Sequence, residues 1–198
     1  MKKLLNLFVG MLITFSLGAQ YSVGDKVEDF SLKGIDGKMF SMLDQKDVKG
    51  FIVTFTCNTC PVAQKYEQRV IEMNKKFAPK GFPVVAINSN DTGIKPGDSM
   101  AEMKIRAKEK GYDFAYLRDD DQSVAKKFGA QRTPEIYLVV KESDKLYLAY
   151  TGAIDNNPDA PADADKQYVA MAIKDILSGK KVVVAETRAV GCTIKWSE

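Results

Sequence analysis

The chain has 198 residues, the length of a single domain, and 45% of them are apolar, enough to form a sizeable core. The formal net charge is only +3, with Lys2 and Lys3 supplying two of the positive charges. The rest of the chain is almost neutral and has no basic stripe, so we expect no nucleic-acid partner. Histidine is absent, which excludes Cys-His and Ser-His catalytic pairs.

Residues 1–20 predict a secretory signal peptide. Lys2-Lys3 form a short positive segment, 4–17 are mostly apolar, and the small residues Gly18-Ala19 precede a cleavage expected near residue 20. The apolar segment is shorter than the roughly 20 residues of a membrane-spanning helix. No cysteine is available at the cleavage point for a lipid anchor. We therefore expect an exported protein, periplasmic or secreted, with no stable membrane span after cleavage.

The rest of the chain alternates between predicted strands and helices. The elements, in chain order, are a loose hairpin at 29–42, a buried strand at 51–55, a helix at 62–77, a strand at 83–87, a helix at 100–110, a strand at 114–117, a short helix ending at 128, strands at 136–140 and 146–150, and a helix at 165–177. This order predicts an α/β fold with a central sheet flanked by helices. We assign 21–179 to one redox domain and 180–198 to a C-terminal tail.

The motif Cys57-Asn58-Thr59-Cys60 lies where the strand 51–55 gives way to the helix 62–77. Cysteines at this spacing can bind zinc, form a structural disulfide or carry out redox chemistry. Zinc requires about four ligands, and only one further cysteine, Cys192, is present. We therefore expect no metal and no other cofactor. Next to a strand–helix unit, the pair indicates thioredoxin-like redox chemistry, with a structural disulfide as the alternative.

The position of the motif predicts different roles for its two cysteines. A helix N-terminus stabilises an anion, so we expect Cys57 to be the more exposed and more acidic thiol. Cys60, one turn into the helix, would resolve a mixed disulfide formed at Cys57. The third cysteine, Cys192, is either a small buried residue beside Trp196 or a third redox thiol. Pro134, directly before the strand 136–140, removes a ladder donor after Thr133 and allows a cis bond, leaving a backbone face free to hold an extended substrate.

These motifs together resemble the peroxiredoxin-like, Cys-x-x-Cys-containing branch of the alkyl hydroperoxide reductase/thiol-specific antioxidant superfamily. The resemblance covers nearly all of the chain after residue 20 and is carried by segments 55–61, 87–91, 111–114, 124–126, 129–134, 152–155 and 191–196. It implies a thioredoxin fold with a mixed sheet, an N-terminal hairpin extension and a cis Pro134 packed beside the cysteine pair.

The chain departs from the family patterns in ways that concern the chemistry. Thioredoxins bury an acid in the strand before the motif, and 51–55 has none, so proton transfer would use water or Glu135. If Cys60 takes the place of a peroxidatic cysteine, Arg132 would supply the positive charge of a peroxidase site. The alternative for Arg132 is a solvated surface residue.

Three functions are therefore compatible with the sequence. The first is an exported thiol–disulfide oxidoreductase acting on protein thiols or disulfides, and the second is a thiol peroxidase; both need a thiol reductant partner. The third is a non-catalytic binding module with a structural disulfide. Two polar segments are predicted to be structural: 155–163 is expected to be a solvated loop rather than a calcium site, and 88–91 a side-chain-capped turn rather than part of the cleft.

Overall fold

The computed structural model describes residues 20–160 and 163–198. Apart from Gln20, the predicted signal peptide lies outside the described residues. The strands are β1 (Lys26–Val27), β2 (Leu32–Gly34), β3 (Met39–Phe40), β4 (Gly50–Phe55), β5 (Val84–Asn88), β6 (Ala115–Arg118), β7 (Arg132–Thr133), β8 (Glu135–Glu142), β9 (Lys145–Gly152) and β10 (Cys192–Thr193), and the helices are α1 (Pro61–Phe77), α2 (Met100–Lys110), α3 (Ser123–Phe128) and α4 (Tyr168–Leu177).

An eight-stranded mixed sheet forms the centre of the molecule, in the order β1-β9-β8-β4-β5-β6-β2-β3. Strands β4, β5 and β6 are parallel, whereas β8 runs antiparallel to β4, and β9 to β8. The hairpin β2–β3 joins the sheet at β6. The predicted α/β class, the mixed central sheet and the N-terminal hairpin are thus confirmed.

Strand β4 carries the core on both of its faces. All six of its residues are buried, and neighbouring side chains alternate between two apolar clusters. Phe51, Val53 and Phe55 pack on one face with Phe128 of α3, while Ile52 packs on the other with residues of α1 and α4. This alternation follows from the two-residue period of a strand. It places the end of β4 deep in the molecule, where the cysteine motif begins.

The segment after α4 returns to the motif. Strand β10 pairs antiparallel with β7 in a separate two-stranded sheet, Ile194 is buried in the main core and Trp196 packs against it. Residues 180–198 therefore help to build the site. No helix within 20–160 and 163–198 has both the length and the apolar character needed to cross a membrane.

The interpretation of 155–163 as a solvated loop is wrong for Asp155. Its carboxylate is buried and forms an ion pair with Arg69 of α1, with Nη1 2.7 Å from Oδ2. The guanidinium also donates to the backbone oxygens of Asn157 and Pro158. In the part of the chain that the structure describes, no three His, Cys, Asp or Glu side chains are grouped so that they could hold a metal ion.

Candidate active site

Helix α1 begins directly after the motif, so Cys60 does not lie one turn into the helix as predicted. Its first residue is Pro61, and its N-cap is Cys60, whose sulfur lies 3.4 Å from the backbone nitrogen of Ala63. Proline suits this first position because it has no N–H to leave unpaired. Cys60 therefore lies at the helix terminus, whereas Cys57 lies before it.

The disulfide of the structure joins Cys60 to Cys192 and leaves Cys57 as a free thiol. The two linked Cα atoms are 6.1 Å apart although 132 positions separate them along the chain, and this Cα spacing is common for disulfides. Cys57 and Cys60 pack together, with Cys192 against them. The expected disulfide joins Cys57 to Cys60. In the structure, Cys60 is bonded instead to Cys192 of the tail.

The prediction that Cys57 is the more exposed of the two motif cysteines is wrong. Its side chain is 3% exposed, against 4% for Cys60. Burial raises the pKa of Cys57, and the negative charge of Asp98 raises it further. A hydrogen bond from Thr133 and backbone N–H groups of the motif oppose these effects without reversing them. In this state burial favours the thiol form of Cys57 over the thiolate.

Thr133 lies between the two motif cysteines. Its Oγ1 is 3.4 Å from Cys57 Sγ, and its carbonyl oxygen is 3.4 Å from Cys60 Sγ. The Thr133-Pro134 bond is cis, as predicted. The structure therefore brings together four residues from different parts of the chain: Cys57 after β4, Cys60 at the start of α1, Thr133 in β7 and Cys192 in β10.

The backbone face before Pro134 is not free, contrary to expectation. Strand β10 occupies it, with Cys192 opposite Thr133 and Thr193 opposite Arg132. A Cβ atom at Gly191 would overlap the carbonyl oxygen of Thr133, so this close approach of the tail requires glycine. The strand edge predicted to receive a substrate is covered by the chain's own tail.

Two charged residues near the site have roles that the sequence did not predict. Arg132 is half-buried, and its Nη1 donates to the carbonyl oxygen of Gly191 at 3.1 Å. Glu135 accepts the backbone N–H groups of Gln131 and Arg132 at 2.7 and 2.9 Å. Both side chains thus stabilise the loop and tail around Thr133.

Asp98, which sequence reasoning missed, contacts the motif directly. Its carboxylate accepts the backbone N–H of Asn58 at 2.6 Å and the hydroxyl of Thr59 at 2.8 Å. Asn88 and Asn90 also donate to it, so the segment 88–91 lines the site as well as forming a turn. The local sequence around Asp98 is typical of a turn before α2 and carries no sign of this contact.

The chain matches one protein family and is similar to several known proteins. The model of the AhpC/TSA family matches residues 23–148, more than half of the chain. The chain is 23% identical over 128 residues to the thiol-disulfide oxidoreductase ResA of Bacillus cereus, covering 65% of this chain and 69% of that protein.

Solved structures extend the likeness to nearly the whole chain. A conserved protein from Geobacillus kaustophilus is 32% identical with a TM-score of 0.82, covering 90% of this chain and 94% of the other. A thiol:disulfide interchange protein of the thioredoxin family from Chlorobium tepidum shares 20% identity and a TM-score of 0.53, covering 66% of this chain and 86% of the other; at that identity the likeness concerns the fold alone. The chain is a thioredoxin-fold oxidoreductase and belongs to the AhpC/TSA family.

Proposed function

We propose that this protein is an exported thiol–disulfide oxidoreductase in which Cys60 exchanges its disulfide between Cys192 and Cys57. The observation that carries the proposal is the Cys60–Cys192 disulfide beside a free Cys57. The contacts of Thr133 with both motif cysteines support it, and so does the Cys-x-x-Cys spacing, which allows the alternative pair. Thr133, Pro134 and Arg132 act as supporting residues that position the cysteines and the tail.

The exchange of disulfide partners needs no external oxidant, because one S–S bond forms as another breaks. The Cys57 thiol loses its proton to water, and the thiolate attacks the Cys60 sulfur. The Cys60–Cys192 bond breaks as the Cys57–Cys60 bond forms, and Cys192 leaves as a thiolate that takes up a proton. A partner dithiol can then reduce the Cys57–Cys60 disulfide, giving two thiols here and one disulfide in the partner. Run in reverse, the same steps reduce a disulfide of a substrate protein.

Export is supported by the signal-peptide pattern of residues 1–20. A compartment outside the cytoplasm would also allow a disulfide such as Cys60–Cys192 to persist. An N-terminal sequence of the protein purified from its native host would test this. A chain beginning near residue 20 supports export, and a chain retaining residues 1–19 contradicts cleavage.

The oxidoreductase proposal is tested with Cys57→Ser, Cys60→Ser and Cys192→Ser variants in an insulin-disulfide reduction assay, combined with mass mapping of disulfides. We expect Cys192→Ser to accumulate Cys57–Cys60, and Cys57→Ser to remain as Cys60–Cys192 and lose turnover. Full turnover in Cys57→Ser would contradict the proposal. A reduction potential below about −300 mV, together with an inert Cys57, would instead support a binding module with a structural disulfide.

A thiol peroxidase is the second candidate, and the pairing of Cys60 with a distant cysteine favours it. In that reaction the Cys60 thiolate takes one oxygen from hydrogen peroxide and releases water, giving a sulfenate. Cys192 then condenses with it to form the disulfide and a second water. Stopped-flow mixing of the reduced Cys192→Ser variant with peroxide distinguishes the two functions. A sulfenate at Cys60 that forms no faster than at free cysteine would exclude the peroxidase.

A further inference from the structure

The Asp98 carboxylate is a fully buried charge that the proposed exchange chemistry leaves without a role. It lies at the end of a short turn, Pro96–Asp98, just before α2, and its side chain has no exposed surface. In sequence it is 40 residues away from Asn58, whose backbone N–H it accepts. A charge in such a place is costly unless its surroundings are built to receive it.

Both oxygens of Asp98 are directed at the residues between the two motif cysteines. Oδ1 accepts the backbone N–H of Asn58 at 2.6 Å, and Oδ2 accepts the hydroxyl of Thr59 at 2.8 Å. The side-chain amide of Asn58 also donates, through Nδ2, to the carbonyl oxygen of Gly97 at 2.8 Å. The turn that separates Cys57 from Cys60 is therefore held from one side by residues 97 and 98.

A second set of residues holds the carboxylate in turn. Nδ2 of Asn88 lies 3.2 Å from Oδ1, and Nδ2 of Asn90 lies 2.8 Å from Oδ2. The hydroxyl of Tyr116 accepts from Asn88 at 3.3 Å and donates to Oδ1 of Asn58 at 2.9 Å. The network thus closes on the motif, linking β5, β6 and the turn before α2.

The donors around Asp98 are all uncharged. None of the ion pairs found among the described residues includes it. Four donors converge on its two oxygens, a number that an ionised carboxylate can accept and a side-chain amide cannot. Arg118 lies behind the network and donates to the backbone oxygens of Asn88 and Asn90. The negative charge of Asp98 raises the pKa of Cys57, and Tyr116 is a further titratable group that interacts with that thiol.

We propose that Asp98 is the positioning residue of the cysteine motif, holding the Asn58-Thr59 turn so that Cys60 meets Cys192 while Cys57 is kept as a thiol. The proposal deepens the proposed function, since it concerns which partner Cys60 takes. Its two consequences are measurable without any substrate. Loss of the Asp98 charge should ease ionisation of Cys57, and loss of its hydrogen bonds should release the turn and favour the Cys57–Cys60 pair.

The first test uses a chain carrying Cys60→Ser and Cys192→Ser, in which Cys57 is the sole thiol. The rate of its alkylation is measured across pH with and without Asp98→Asn. We expect Asp98→Asn to lower the midpoint of the profile, and a midpoint lower by about one pH unit speeds alkylation roughly tenfold at pH values well below it. The matched control is Ser99→Ala, which removes the cap of α2 without touching the motif. It should leave the midpoint unchanged even if it lowers stability.

The second test maps disulfides in the three-cysteine chain after oxidation. Asp98→Asn should raise the share of Cys57–Cys60 at the expense of Cys60–Cys192. Thr59→Val, which removes one hydrogen bond and keeps the charge, should change this share in the same direction by less. If Asp98→Asn does not fold, the share of Cys57–Cys60 in Thr59→Val decides whether the proposal holds.

An unchanged alkylation midpoint with Asp98→Asn, or an unchanged pairing in both variants, would overturn the proposal. Full turnover in Cys57→Ser would contradict the proposed function but leave the alkylation result standing. The two failures can therefore be told apart.

Discussion

Replacing Cys192 by serine removes the covalent link between the tail and the motif. The link closes a loop with a sequence separation of 132. In the chain-entropy model, opening a loop of that size gives the unfolded chain more conformational entropy. This lowers the free energy of unfolding by about 5 kcal/mol at 25 °C. Oxidised Cys192→Ser is expected to form the Cys57–Cys60 disulfide instead, and its short loop offsets about 2 kcal/mol of this loss in the same model. We therefore expect oxidised Cys192→Ser to be less stable than the oxidised wild type by about 3 kcal/mol.

The folded state itself should change little in Cys192→Ser. The tail is also held by the Ile194 backbone N–H, which donates to Gln131, and by Lys195, whose carbonyl oxygen accepts from Asp91 and Gln122. Ile194 remains buried in the core. Because these contacts do not depend on the disulfide, the effect of the substitution should lie mainly in the entropy of the unfolded chain.

Urea denaturation measures the difference. With a slope of about 2.5 kcal/mol per molar urea, a loss of about 3 kcal/mol lowers the midpoint by about 1.2 M. The comparison is made with and without a reductant, and Cys57→Ser serves as the control that keeps the Cys60–Cys192 disulfide. The variant and the wild type should have similar midpoints once both are reduced. Equal midpoints under oxidising conditions would refute the reasoning, because the disulfide would then not stabilise the protein in solution.

Three further outcomes are expected. Asp155→Asn should lower the free energy of unfolding by about 3 kcal/mol in urea denaturation, because it leaves the buried guanidinium of Arg69 without its counter-charge; a change below about 1 kcal/mol would contradict this. The folded-state pKa of Cys57 is raised above its ordinary value of 9.0, so its contribution to the stability of the protein with the Cys60–Cys192 disulfide is fully present below about pH 9 and is lost as the pH rises through the raised pKa; Cys57→Ser should lack this part of the alkaline loss. Gly191→Val should prevent the tail from reaching Thr133, and an oxidised variant in which mass mapping still finds mainly Cys60–Cys192 would disprove that steric argument.

The amino-acid sequence alone determined the elements that depend on near neighbours. The apolar run of β4 predicted a buried strand, and the spacing of apolar residues after Cys60 predicted α1 to within one residue. The cysteine spacing at their junction located the motif, and the family resemblance predicted the cis bond before Pro134. These features follow from periodicity, steric preference and hydrogen bonding over a few residues, which a single sequence displays directly.

Only the tertiary structure decided which groups meet at the motif. The pairing of Cys60 with Cys192 depends on a tail that crosses the molecule to lie beside β7. The Asp98 contact depends on a turn that folds back over the strand ends. The high pKa of Cys57 follows from the burial that these two segments help to complete. Such effects arise from residues far apart in sequence, whose proximity is set by the packing of the whole sheet and leaves no local pattern to read.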